Sequence, residues 1–183
     1  MTFSGFNADL RQPFLLELMT QESTWILNES LSGYAEEKGS SLATQVREGR
    51  LFQLLDSVKD DSLKVSPSRR VRVRLLEDSY MCWFELDDVI VKSRPIKIFK
   101  TKSVSQKEIE HKLPAVIAWV ENAAAKKNKY LWGGTLGPDF DCSGLVQSAF
   151  ASQGIWLPRD AYQQERFCRK IEFKLNDLTF LRA

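Results

Sequence analysis

One histidine, His111, stands among the 183 residues, which narrows every chemical reading of the chain. A cysteine nucleophile usually draws on a histidine base, so such chemistry has a single candidate partner here. Cysteine itself is sparse: Cys82, Cys142 and Cys168 are odd in number, widely spaced and free of any CxxC pair. Neither a disulfide scaffold nor a structural zinc site is encoded. No uninterrupted apolar run approaches the ~20 residues of a membrane-spanning helix. The segment Met1–Thr20 has no basic leader, and its apolar cluster Phe14–Met19 is short and broken by Glu17. The expectation is a soluble, cytoplasmic protein with no export signal and no membrane partner. Charge of one sign is also lacking. The 26 Lys and Arg against 24 Asp and Glu leave +2, too little to neutralise phosphates across the whole surface. No P-loop, dinucleotide fingerprint, metal-ligand spacing, internal repeat or low-complexity tract is present, and no cofactor is implied.

With 43% apolar and 27% charged residues, the chain falls in the globular range. At roughly 100 to 200 residues per domain, its length fits one ordinary domain or two small ones, and the change of pattern along the chain favours two. Residues 1–22 show no clear period, with Pro13 breaking the helical candidate, and read as a leader of unknown structure. From residue 23 to about 100, short β-rich runs alternate with turn-rich pieces such as Glu36–Ser41 and Lys59–Ser62. In Arg70–Leu75, Val71, Val73 and Leu75 point one way and Arg70, Arg72 and Arg74 the other, as in a half-buried strand. Leu42–Val46, Leu51–Leu55, Met81–Glu85 and Val89–Val91 are further strand candidates. So many short strands in so few residues predict a small barrel, and the size suits an SH3-like one. The arginine strand reads as a solvated face. A nucleic-acid face is the other reading, but Glu77, Asp78, Glu85, Asp87 and Asp88 lie close by and oppose phosphate.

After a linker over Pro95–Lys102, a second pattern occupies 103–183. Ser105-Gln-Lys-Glu108 has the form of a capping box, and Ile109, Leu113, Val116, Ile117 and Val120 follow at helical spacing, predicting a helix over roughly 105–127. Pro114 either kinks it or marks a fresh start. His111 then falls opposite the apolar stripe and reads as solvated. The glycine-rich stretch Trp132-Gly-Gly-Thr-Leu-Gly-Pro138 leads to Asp141-Cys142-Ser143-Gly144. Asp141 is a plausible N-cap for a helix whose stripe is Leu145, Val146, Ala149 and Phe150, with Gly154 past its end. Cys142 therefore sits at a helix N-terminus, where nucleophilic cysteines are commonly activated. Gly133, Gly134 and Gly137 just ahead would let a substrate or a neighbouring backbone come close to the sulfur. The alternative is that Cys142 is a small buried residue, as most free cysteines are. Cys82, beside Trp83 and Phe84, and Cys168 read as structural.

Tyr130-Leu-Trp-Gly-Gly-Thr-Leu-Gly-Pro-Asp-Phe-Asp-Cys-Ser-Gly-Leu-Val146, continued by Gly154-Ile-Trp-Leu-Pro-Arg-Asp-Ala-Tyr-Gln-Gln164, resembles the NlpC-type cell-wall cysteine peptidases. Leu42-Ala-Thr-Gln-Val-Arg-Glu-Gly-Arg50 and Glu77-Asp-Ser-Tyr-Met-Cys-Trp83 are similar to the bacterial SH3-like domain that precedes the peptidase in cyanobacterial-type γ-D-glutamyl-L-diamino acid endopeptidases. The resemblance implies an α+β chain: an SH3-like β-barrel over 23–100, then a papain-like peptidase domain over 103–183. It implies that Cys142 attacks the amide between γ-D-glutamate and a diamino acid in murein peptides. Asp141 would help recognise the free amine of a leading L-alanine. Ser143, Arg159 and Asp160 would line the same pocket, and Tyr80 would close it from the barrel. The same family carries its catalytic histidine on strands that follow a Gly-Asp-Leu turn. Here Asn176-Asp-Leu-Thr-Phe180 resembles that turn, no histidine follows Cys142, and the chain ends at Ala183. The expectation is a peptidase domain lacking its last strands, with an inherited role in recycling murein peptides. The rival expectation is a non-catalytic murein-peptide binding protein or degenerate fragment. Neither reading names a protein partner.

Overall fold

Alternation of apolar and polar residues, strongest in Arg70–Leu75, sets the architecture of the first half. The computed structural model describes residues 23–55, 69–96 and 103–170. Its strands are β1 (Thr24–Leu27), β2 (Leu31–Tyr34), β3 (Leu42–Val46), β4 (Leu51–Leu54), β5 (Arg70–Leu75), β6 (Met81–Glu85) and β7 (Ser93–Ile96). They form one antiparallel sheet in the order β3-β2-β6-β5-β4-β1-β7. Period-two burial fixes the register, since a slip of one residue would turn every core side chain to solvent. Val73 thus faces Cys82 and Arg72 faces Trp83 across β5 and β6. Val71, Val73 and Leu75 join Trp25, Leu27, Val46, Phe52, Leu54 and Phe84 in one core, completed by Leu86 and Val89 from the segment that follows β6. Burying each such side chain contributes about 1.5–3 kcal/mol, and Phe52 packs edge-on against Phe84.

The wet side of β5 behaves as its sequence suggests. Arg72 and Arg74 are exposed. Arg70 is tied down, its Nε donating to Glu85 Oε1 at 2.9 Å and its guanidinium lying 3.5 Å from the centre of the Tyr34 ring.

One strand expectation is corrected. Val89–Val91 lies inside a helix, α1 (Leu86–Lys92), rather than a strand. Leu86 and Val89, three residues apart, bury one helical face, Asp87 and Asp88 occupy the first turn, and Lys92 pairs with Asp88 at 2.7 Å. A three-residue apolar run cannot by itself separate the two periods. The structure also extends pairing through Pro95, expected to open the linker: β7 pairs with β1 at an edge of the sheet, where a missing N–H is tolerated.

Among the described residues the second half is built on helices. In α2 (Gln106–Ala124) the Ser105–Glu108 capping box is formed, and Pro114 lies inside an uninterrupted helix. The helix is three residues shorter at its C-terminal end than expected. Of its predicted stripe only Val116 is buried, and Ile117 is 58% exposed. Next come α3 (Cys142–Ala151) and α4 (Ala161–Phe167). Gly154, with φ of +73°, ends the α3 segment as expected. The face that α3 buries only partly follows its apolar stripe, of which Ala149 is buried and Leu145 and Phe150 are half-buried. Gly144, Gln147, Ser148 and Ala149 are covered, while Val146 is 40% exposed. The helix turns hydrogen-bonding side chains inward because its neighbours offer acceptors: Gln147 Nε2 donates to Leu157 O at 2.8 Å and Ser148 Oγ to Thr135 O at 2.7 Å.

The two halves meet along β3. Gln45 Oε1 accepts the N–H groups of Thr135 and Leu136 at 3.1 and 3.2 Å, and Gln45 O accepts the Thr135 hydroxyl. Arg50 stacks on the Trp156 ring at 4.3 Å. Among the described residues no helix is long and apolar enough to cross a membrane.

Candidate active site

Asp141 caps α3 and organises what surrounds it. Oδ1 accepts from the Gly144 N–H at 2.6 Å, from the Ser143 hydroxyl at 3.2 Å and from Arg159 Nη1 at 3.1 Å. Oδ2 accepts from the Gly133 N–H at 2.8 Å and from Arg159 Nη2. Burial alone would raise the carboxyl pKa. The Arg159 hydrogen bond, the Gly144 N–H, the Arg159 charge and the Gly133 N–H together hold it below the ordinary value.

Arg159 is 2% exposed, and each of its three nitrogens finds an acceptor. Besides Asp141, it donates from Nη1 to Ser143 Oγ at 3.0 Å and from Nε to Thr44 Oγ1 on β3 at 3.1 Å. One guanidinium therefore joins the α3 N-terminus to the sheet. Gln164 of α4 adds a further tie, its Nε2 donating to Ser143 O at 3.0 Å and to Pro158 O at 2.9 Å.

The glycines bring backbone to backbone. A Cβ on Gly144 would lie 2.1 Å from Gly134 O. At Gly133, whose φ is +79°, a Cβ would lie 2.8 Å from the carbonyl oxygen of Leu42. Of the two uses expected for this stretch, close approach of a neighbouring backbone is the one visible.

Cys142 occupies the first turn of α3 and is exposed, so it is not the small buried residue of the alternative reading. It opens onto a groove of about 340 Å³ lined by Ala123, Tyr130, Phe140, Asp141 and Leu145 among others. Cys82 is buried in the core, and burial pushes its thiol up to about 12. Cys168 is exposed at the end of α4.

Tyr80 and Asp160 meet across the two halves. The Tyr80 hydroxyl hydrogen-bonds the Asp160 carboxylate, and burial, then the Asp160 charge, raise its pKa above the ordinary phenol value. Asp160 is also raised, first by burial, with Asp141 and Asp78 adding repulsion against the lowering pull of Arg159 and Tyr80. Thus Asp141, Ser143, Arg159, Asp160 and Tyr80 come together, with Cys142 between the first two in sequence.

His111 does not join them. It is exposed on α2, twelve residues and so about 18 Å along the helix from Ala123 at the groove. The stretch Asn176–Phe180 lies outside the described residues. Among the described residues no group of three or more His, Cys, Asp or Glu could hold a metal.

Sequence reasoning gave no role at the site to Thr44, Asp78 or Gln147, Asp78 being named only among the acidic residues beside the arginine strand. Only Gln147 carried a usable signal, as a polar side chain within an apolar helix.

Residues 127–182 match the NlpC/P60 family. Over 56 residues the chain is 50% identical to the bifunctional muramidase/DL-endopeptidase CwlT of Bacillus subtilis, covering 28% of this chain and 17% of that protein. Over 54 residues it is 43% identical to the γ-D-glutamyl-L-lysine dipeptidyl-peptidase of the same organism, covering 28% of this chain and 18% of that protein. The matched stretch thus spans less than a fifth of either relative's length. Among solved structures, NlpC2 from Trichomonas vaginalis is similar at 15% identity and a TM-score of 0.39, covering 86% of this chain and 76% of that one. An NlpC/P60 family protein from Bacillus cereus is similar at 20% identity and a TM-score of 0.28, covering 89% and 46%.

Proposed function

We propose that this chain carries the peptide-recognition half of a cell-wall cysteine peptidase, selecting murein peptides that present a free L-alanyl amine ahead of γ-D-glutamate. In this reading the sheet is an SH3-like barrel that lends Tyr80 to the pocket, and the helical half is the papain-like peptidase domain. The observation that carries it is the pair of carboxylates. The resemblance gave the amine to Asp141, but that carboxylate already accepts from five donors and pairs with Arg159, so we assign the amine to Asp160 instead. Asp160, beside the Tyr80 hydroxyl, is the carboxylate left to meet an ammonium group. A pocket closed by Tyr80 suits the free end of a released peptide better than a substituted chain in intact wall, which fits recycling.

Cys142 would attack the carbonyl of the bond between γ-D-glutamate and the diamino acid. As the C–N bond breaks, the acyl group stays on sulfur as a thioester that water then hydrolyses; the thiol proton needs an acceptor and the leaving amine a proton donor. His111 is exposed and far along α2, which favours a second reading of these 183 residues, that of a murein-peptide binding module without turnover. Incubating the purified chain with L-alanyl-γ-D-glutamyl-diaminopimelate and separating the products tests both. Binding without release of the diamino acid is expected. Turnover lost in Cys142→Ala but kept in His111→Ala would overturn the binding-only reading, and failure to bind the peptide would overturn the proposal itself.

A further inference from the structure

The turn carrying Tyr80 is anchored to the cysteine-bearing helix by contacts that the recognition pocket does not itself use. Asp78 Oδ1 accepts from Arg50 Nη2 at 2.7 Å and from the Tyr80 N–H at 3.1 Å. Its other oxygen, Oδ2, accepts from Gln147 Nε2 at 2.8 Å, reaching across to α3 over 69 positions of sequence. Between Asp78 and Tyr80, Ser79 sits at φ of +60°, a left-handed conformation that an L-residue keeps only when its surroundings hold it there. Glu77 completes the clamp: Oε2 accepts from Arg50 Nε at 3.2 Å and Oε1 from the Leu51 N–H at 2.7 Å. All four groups of the clamp are enclosed. The Arg50, Glu77 and Asp78 side chains are 5%, 10% and 0% exposed, and Gln147 is 2% exposed.

We infer that Asp78 and Gln147 are positioning residues that set Tyr80 at its distance from Asp160 and thereby determine selectivity for a free amine. Asp78 holds the backbone of Tyr80 directly, and Gln147 holds Asp78 to the helix whose first residue is Cys142. Gln147 is fixed in turn by the Leu157 carbonyl, two residues before Arg159. A shift of the sheet against α3 is therefore transmitted to the phenol, because its turn is fastened on both sides. Removing the Gln147 contact leaves Asp78 with Arg50 and the Tyr80 N–H, so the turn persists but loses its reference to α3. This inference rests on the amine-recognition reading above and adds the residues that tune it.

The test compares two probes by calorimetric titration: L-alanyl-γ-D-glutamyl-L-lysine and the same peptide acetylated on its alanine. The unaltered chain is expected to prefer the free amine at least tenfold. Gln147→Met, close in volume but without a donor, should lower that preference several-fold while the iodoacetamide rate of Cys142 changes less than twofold. Gln147→Leu, which also lacks the donor and leaves the Asp78 charge near Asp160 unchanged, should lower the preference similarly if Gln147→Met fails to fold. Preference unchanged in a folded variant of either kind would overturn the positioning role alone. Equal binding of both peptides by the unaltered chain would overturn the amine reading and this inference with it.

Discussion

Replacing Arg159 with methionine isolates the interaction on which the candidate site depends. The guanidinium is 2% exposed and contacts Asp141 through two nitrogens, Ser143 through one and Thr44 through the third. Methionine fills much of the same volume but leaves the Asp141 carboxylate enclosed with only the Gly133 and Gly144 N–H groups and the Ser143 hydroxyl. Removing one partner of a buried ion pair costs about 3–5 kcal/mol, because the remaining charge has lost water without keeping its compensation. For a chain of this size that corresponds to a fall in Tm of about 6–20 °C. Asp141 supplies an independent signature. Its folded pKa lies below the unfolded one, so its stabilisation is present in full above the unfolded value near pH 4 and is lost as pH falls through the folded value. Urea titrations of both proteins at pH 7 and between pH 3 and 4 measure the two effects. The unaltered chain should lose stability toward low pH, and Arg159→Met should be weaker at pH 7 with a shallower dependence. A loss below about 1 kcal/mol, the range of exposed pairs, would refute the reasoning, since the bridge would then be screened by solvent.

Two further outcomes follow from the same geometry. Iodoacetamide near neutral pH should leave Cys82 unlabelled in the folded protein and modify Cys142 ahead of Cys168, because Cys142 alone joins an exposed helix N-terminus to a groove; peptide mapping that finds Cys168 labelled first would count against Cys142 as the nucleophile. Gly144→Ala should destabilise the chain by at least the ~1–3 kcal/mol usual for overpacking, because its Cβ would meet the Gly134 carbonyl oxygen at 2.1 Å and backbone has to move; a melting temperature within 1 °C of the unaltered chain's would show that the loop and α3 are looser than their contact implies.

Local patterns carried much of the fold. Arg70–Leu75 alternates because one of its faces is buried, and Ser105–Glu108 caps α2 by a box whose members are three residues apart. Where a pattern was short or its partner distant, the reading slipped. Val89–Val91 is too brief to show a period, and Ser93–Ile96 contains a proline that an edge strand accepts. The α3 stripe misled at Val146 for another reason. Hydrophobicity ranks Val146 above Gln147, yet the helix packs on loop carbonyls and a carboxylate, so the amide is the better-buried residue.

The candidate site divides along the same line. Cys142 could be placed from Asp141 and the glycines beside it, because capping is local and a close backbone approach marks itself by glycine. The roles of Asp141 and Asp160 came from family resemblance alone, which gave the amine to Asp141 and only a place in the pocket to Asp160. What separates them is long-range. Arg159, adjacent to Asp160 in sequence, turns its fork onto Asp141 and holds that carboxyl down, while Asp160 faces Tyr80 from the sheet and is pushed up by burial and by the repulsion of Asp141 and Asp78. Two carboxylates in one region driven in opposite directions take different work. The lowered one fastens the cysteine helix to β3 through Arg159, and in the proposed function the raised one is the carboxyl whose pKa a cationic ligand would bring back down. An arginine spent on Asp160 instead would neutralise the pocket, so the assignment of the amine to Asp160 depends on where Arg159 points.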